Sequence, residues 1–231
     1  RETTIIDGGQ NGSVVEMYNA DESQISNFTI RNGLSDWGGG GIEANGSDQV
    51  IFSNLIIHNN NASEYGGGIR FEASDGIVDN CEIFNNEAIR GGAILACNGK
   101  VEINSSLIIE NINYDYANIF SGCSGELTIN NSIIKNNYGR GVGSSNKLKI
   151  SDSLISNNSN GGILFLNNHV DSLFVESSTI VNNISEGVWF EIGGEGSGAI
   201  INNSIIYNNS EYEIRSNAYV PFTISTSYSN L

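Results

Sequence analysis

Apolar residues along this chain fall into short alternating runs cut by polar turns, and the runs recur about every 25 residues. An isoleucine just ahead of an x-Asn-Asn turn appears as Ile30, Ile57, Ile83, Ile108, Ile134, Ile155, Ile180 and Ile206, at steps of 27, 26, 25, 26, 21, 25 and 26. Two residues later stand Asn32, Asn59, Asn85, Glu110, Asn136, Asn157, Asn182 and Asn208. The next position holds Gly33, Asn60, Asn86, Asn111, Asn137, Asn158, Asn183 and Asn209. Two residues before each isoleucine lie Phe28, Leu55, Cys81, Ser106, Ser132, Ser153, Ser178 and Ser204.

Glycine opens a second run in each repeat, as in Gly-Gly-Gly-Ile at 39–42 and 66–69. This places Ile42, Ile69, Ile94, Ile119, Val142, Ile163, Val188 and Ile214 in one inward column. A third run alternates as Leu127-Thr-Ile129, Leu148-Lys-Ile150 and Leu173-Phe-Val175. Alternation means strands, and three short strands per repeat with turns between them predict a parallel β-helix. No Leu-x-x-Leu-x-Leu frame supports a leucine-rich repeat. The fold class is all-β: residues 1–231 form a single-domain solenoid of about nine coils, three short strands per coil. Coils stacked at about 4.8 Å give a rod of about 40–45 Å.

Stacking sets like residues above like. Asparagine amides can then bond along the axis, and asparagine also tolerates the left-handed backbone of tight turns. An outward column, Thr29, Ile56, Glu82, Leu107, Ile133, Leu154, Thr179 and Ile205, is apolar enough to suggest a covering segment or partner. A register slip of one residue would exchange these faces.

Composition narrows the picture. Asn 35, Ile 33, Ser 30 and Gly 28 exceed half of the 231 residues, and Leu occurs 11 times. An isoleucine excess of this size suits pleated sheets rather than helices. The formal charge of −16 lacks the basic footprint of a nucleic-acid binder and disfavours adhesion to anionic membranes. No apolar run is long enough to span a bilayer as a helix. The chain opens at Arg1 without methionine, which suggests a mature protein or a piece of a longer one.

The coil Ile56-Ile57-His58-Asn59 followed by Gly66-Gly67-Gly68-Ile69, together with Gly91-Gly92-Ala93-Ile94, resembles the right-handed parallel β-helix superfamily of secreted bacterial proteins. Within it, the repeats are similar to those of chlamydial polymorphic outer-membrane proteins, which carry Phe-x-x-Asn and Gly-Gly-Ala-Ile motifs. Ile133-x-x-Asn136 and Leu154-x-x-Asn157 correspond to the first motif. The resemblance covers about residues 24–215 and implies the fold and an extracellular or cell-surface location, but no chemistry. The same superfamily includes polysaccharide lyases and hydrolases. Their Asn-Thr-Asp, Gly-His-Gly and Arg-x-Pro-x-x-Arg elements are absent from the sequence, and His58 and His169 lie more than four repeats apart.

The outward row after the glycine turn reads Glu43, Arg70, Leu95, Phe120, Gly143, Leu164, Trp189 and Arg215. The next reads Asn45, Glu72, Cys97, Gly122, Ser145, Leu166, Glu191 and Asn217. Trp37, Tyr65, Tyr114, Tyr116 and Tyr138 flank them. Aromatic faces beside carboxylates and amides suit sugar rings, so Trp37, Tyr65, Phe120, Leu164 and Trp189 are the candidate ligand residues, with a packed loop or neighbouring domain as the alternative. Arg70, Glu43 and Glu72 are the only catalytic candidates. As a lyase centre they would need a guanidinium base, which adjacent acids oppose, so a surface ion-pair ladder is the other reading. Asp48 and Asp75 share a turn column and could hold calcium, the one cofactor considered, or could simply be solvated. Cys97 and Cys123, one coil apart, suit a disulfide, two free thiols being the alternative. Cys81 fits the inward serine column as a small filler.

Two functions follow from these features. The first is a non-enzymatic secreted or cell-surface module presenting a stacked face to a glycan or surface partner. The second is a polysaccharide-active enzyme, against which stand the short loops and missing motifs.

Overall fold

The computed structural model describes residues 4–167, 172–192, 198–217 and 223–227; His169 lies outside them. The chain winds as a right-handed parallel β-solenoid. Three nine-stranded sheets run its length, joined by a short ladder of four two-residue strands. Every named strand pair is parallel, and each strand pairs with its counterpart one coil away. Sheet I holds the isoleucine column, for example Ile56–His58 and Glu82–Phe84. Sheet II follows the glycine turn, for example Ile69–Glu72 and Ile94–Cys97. Sheet III holds the third run, for example Glu126–Asn130 and Leu148–Ser151. Among the described residues no helix is long and apolar enough to cross a membrane.

The eight isoleucines from Ile30 to Ile206 are Cα partners in succession, and all are fully buried. They meet the sheet II column and Phe52, Val78, Ile103, Ile129 and Ile150 of sheet III in one continuous core. Each buried isoleucine contributes about 1.5–3 kcal/mol by leaving water, and β-branching fits the pleat at no extra rotamer cost. The register is therefore the predicted one. The column of Ile56, Leu107, Ile133, Leu154 and Ile205 does point outward, half-buried to exposed.

The two asparagine columns of the turn have different physical tasks. Asn32, Asn59, Asn85, Glu110, Asn136, Asn157, Asn182 and Asn208 all have positive φ, between 53° and 59°. They make the corner, where asparagine is tolerated better than most residues. The column beginning at Asn60 is buried and forms a ladder: each Nδ2 donates to the Oδ1 of the next coil at 3.0–3.1 Å, through Asn86, Asn111, Asn137, Asn158 and Asn183 to Asn209. The same Oδ1 accepts a backbone N–H, as Asn137 does from Asn111. The serine column does likewise. Ser132 Oγ accepts the Ser106 N–H at 3.1 Å and donates to the Asn130 carbonyl. Cys81 takes the serine's place, buried.

Glycine is sterically required at several turns, Gly99 among them. A Cβ on Gly99 would stand 2.0 Å from the Ser74 carbonyl oxygen, so the turn between sheets II and III closes there only without a side chain.

Candidate ligand-binding groove

Sheet II turns its second face outward, and the turns before it raise a wall along one side. Register sets Glu43, Arg70, Leu95, Phe120, Gly143, Leu164, Trp189 and Arg215 in one file. The neighbouring file runs Asn45, Glu72, Cys97 and Gly122, with Leu166 beside Glu191 further along. The wall carries Tyr65, paired with Arg90 of the next coil, and then Tyr116. Between wall and sheet lies an open groove of about 420 Å³, lined by Tyr65, Arg70, Glu72, Arg90, Tyr116 and the half-cystines among others.

The wall is a stack of π faces and cations. The Arg90 guanidinium lies 5.9 Å from the Tyr65 ring centre and 5.1 Å from that of Tyr116. Tyr116 stacks on Phe120 at 4.6 Å, 12° from parallel. Arg70 also lies over the Tyr65 ring, at 5.5 Å. Each such cation–π contact fixes a long side chain and is worth about 0.5–1 kcal/mol at an exposed site.

Every guanidinium here is also ion-paired. Arg70 Nη1 donates to Glu43 Oε1 at 3.0 Å and Nη2 to Glu72 Oε2 at 2.6 Å. Arg90 Nε donates to Asp115 Oδ2 at 3.0 Å. The ion-pair reading of this trio therefore holds, with Glu43 buried at 2% exposed and Arg70 and Glu72 half-buried. Burial pushes the Glu43 carboxyl above its ordinary range, opposed by the Gly39 N–H that its Oε2 accepts at 2.6 Å and by Arg70. Both Glu43 oxygens are thus occupied by donors. Asp115 holds the Arg90 guanidinium charged, outweighing its partial burial.

Of the candidate ligand residues, Tyr65 and Phe120 come together in this groove. Phe120 is 6% exposed, because Tyr116 lies over it, so the accessible ring there is that of Tyr116. Leu164, at 3%, is packed away. Trp37 is 71% exposed and lines an adjoining shallow depression with Glu16, Tyr18 and Glu43, joined to the groove through Arg70. Trp189 belongs to a separate cluster toward the far end of the rod. There Arg140 lies over its ring at 4.5 Å and Arg215 at 5.1 Å, both paired with the buried Glu186. Burial pulls the Arg140 guanidinium below its usual value, against the pull of Glu186.

Asp48 and Asp75 are engaged in turns. The Asp48 N–H donates to Asp21 Oδ1 at 2.9 Å, and Asp75 Oδ1 accepts the Lys100 N–H at 2.7 Å. Among the described residues no three His, Cys, Asp or Glu side chains come together as a metal site. His58 stacks on Phe84 at 4.9 Å, where burial lowers its basicity. Cys97 and Cys123 are joined as a disulfide with Cα atoms 5.3 Å apart, and it forms part of the groove lining.

Sequence reasoning missed Arg90 and Arg140. A signal was present for the first: Tyr65 and Arg90 each stand four residues before an inward isoleucine, Ile69 and Ile94. They therefore occupy the same wall position one coil apart. The shorter repeat that follows hides the corresponding place of Arg140.

No curated protein matches the sequence. The family model described as Right handed beta helix region matches residues 1–147, more than half of the chain, and the protein, wound as its coils require, belongs to that family.

Proposed function

We propose that this right-handed β-helix is a non-enzymatic, exported binding module whose groove on sheet II takes a glycan. The observation that carries this reading is the Tyr65–Arg90–Tyr116 stack, whose flat faces repeat along the rod at the coil spacing of about 4.8 Å. Pyranose rings bind by laying CH faces on such surfaces while their hydroxyls meet polar groups at the rim. Glu72 and Ser145 supply that rim. Ion pairing and stacking fix the wall before any ligand arrives, which lowers the ordering cost of binding. A disulfide within the groove accords with an oxidising, extracellular setting.

The test is a glycan array followed by calorimetry on the wild type, Tyr65→Ala and Tyr116→Ala. Each alanine variant should bind about three- to tenfold more weakly, the worth of one aromatic contact. A wild type that retains no glycan, or variants that bind as well as it does, would remove the groove from consideration.

The competing reading, a polysaccharide lyase or hydrolase, has one observation in its favour: the Glu43 carboxyl is buried and pushed upward beside Arg70. Against it, both oxygens are already taken, which leaves no lone-pair direction poised at a substrate. Glycan cleavage that disappears in Arg70→Ala and Glu72→Ala would favour the enzyme.

A further inference from the structure

We infer that the groove selects uncharged saccharides and rejects uronates, with Glu72 as the residue that sets this preference; the inference rests on the glycan reading above. Recognition of a carboxylate sugar calls for an arginine or lysine whose positive charge is not already balanced by protein carboxylates. The groove lining contains two guanidinium groups, Arg70 and Arg90, and each is already paired with carboxylate. Arg70 faces two carboxylates, Glu43 through Nη1 and Glu72 through Nη2, so its single positive charge is more than balanced. Its Nε is buried, with no hydrogen-bond partner among the described residues, and so is out of a ligand's reach. Arg90 directs its Nε to Asp115, which balances its charge, and lies over two tyrosine rings. These cations serve as flat surfaces whose charge is already cancelled.

The groups left over have the opposite character. Glu72 gives Oε2 to Arg70, while its Oε1 carries no hydrogen bond among the described residues. Glu72 is a groove-lining residue, so Oε1 stands as a charged acceptor. A sugar hydroxyl can donate to it, whereas a uronate carboxylate would meet it charge to charge. The surrounding field has the same sign, since the chain carries −16 overall and such a field lowers the local concentration of anions. Uncharged rings packed against Tyr65 and Tyr116 can place a hydroxyl at Glu72 Oε1 without bringing like charges together.

The experiment is calorimetric titration of the intact protein with oligomers of glucan, mannan and galactan and with oligogalacturonate of matched length, at low and high ionic strength. At least one neutral series should bind, with affinity nearly independent of salt, and oligogalacturonate should bind at least about tenfold more weakly. Glu72→Gln removes the repelling charge and releases Arg70, and should narrow that gap by about three- to tenfold. Asp115→Asn, at a residue outside the groove lining, should free Arg90 and act in the same direction if the first variant misfolds. Tighter binding of oligogalacturonate to the wild type overturns the inference while leaving the glycan reading standing. An unchanged preference in both folded variants also overturns it. Binding of neither class removes the two together.

Discussion

Glu213 receives the side-chain amide of Asn209 at 2.6 Å and so ends the buried asparagine ladder on a carboxylate. The amides of this ladder all point the same way, each Nδ2–H toward the following coil. The last donor therefore needs an acceptor that no further asparagine provides. At the other end Gly33 supplies a backbone N–H to Asn60 Oδ1 at 2.9 Å, which closes the ladder without a side chain. The ladder is a set of coupled bonds, so its middle is its most sensitive place. Asn137→Ala strips acceptors from the Asn111 N–H and side-chain amide and donors from Asn158 Oδ1 and the Ile108 carbonyl. Leaving several buried polar groups unpaired should cost about 3–5 kcal/mol. Urea denaturation of Asn137→Ala beside Glu213→Ala checks this, with the terminal variant expected to lose about 1–2 kcal/mol. Equal losses at the two sites would contradict a coupled ladder.

The Cys97–Cys123 disulfide closes a loop of 26 residues, one coil of the solenoid. Loop-closure entropy gives such a cross-link about 3 kcal/mol against the unfolded chain. Cys97→Ala paired with Cys123→Ala should therefore lower stability by about 2–3 kcal/mol. Glycan affinity should fall as well, because the bridge ties the end of Ile94–Cys97 to the turn after Ile119–Gly122 within the groove lining. Cys81 is buried and should resist alkylation by iodoacetamide until the chain unfolds, which mass spectrometry reads directly.

Two adjacent isoleucines test the register in a single strand. Ile134 is fully buried, whereas Ile133 is 40% exposed. Ile134→Ala should cost about 2–4 kcal/mol through lost burial and the cavity left behind. Ile133→Lys should shift stability by no more than about 0.5 kcal/mol. A reversal of these two values would place the outward stripe in the core.

The solenoid was legible because stacking makes each coil repeat the demands of the one below. Ile83, Asn86 and Ile94 answer the same constraints as Ile57, Asn60 and Ile69, so a period shared by three columns fixes register, inward face and strand number together. The files of sheet II followed from that register, and with them the closeness of Cys97 to Cys123 and of Arg70 to Glu43. Side-chain reach does not follow from register. Phe120 and Leu164 point outward in sequence order but lie beneath Tyr116 and neighbouring chains, since a long side chain from the turn can fold across the strand it precedes. Arg90 was overlooked because the spacing to Ile94 that it shares with Tyr65 and Ile69 joins two unlike side chains, and a column of unlike residues does not stand out by residue type.

Two buried glutamates should give the pH–stability curve opposite slopes at its acid end. Glu186 is driven upward by burial, but the hydrogen bonds from Arg215 and Ser185 and the charge of Arg140 outweigh this and hold it below the ordinary carboxylate value of 4.5. A group depressed in the folded state stabilises the fold above its unfolded value, and that contribution is lost as pH falls below about 4.5 through the folded value. Glu43 is displaced the other way by burial. The folded chain holds its proton more tightly, so its contribution is greatest in acid and is lost as pH rises from 4.5 through the raised value. Urea midpoints across the acid range for the wild type, Glu186→Gln and Glu43→Gln separate the two. Glu186→Gln leaves Arg140 and Arg215 unpaired and should lose about 2–3 kcal/mol at neutral pH. That deficit should shrink as pH falls below 4.5, because the wild type then loses the same ion pairs by protonation. Glu43→Gln should show its smallest deficit above 4.5, where the wild type bears the cost of a buried charge, and a larger one in acid. Parallel curves for all three proteins would mean that neither carboxylate titrates with folding, and the ion pairs on sheet II would then be packing contacts without electrostatic consequence.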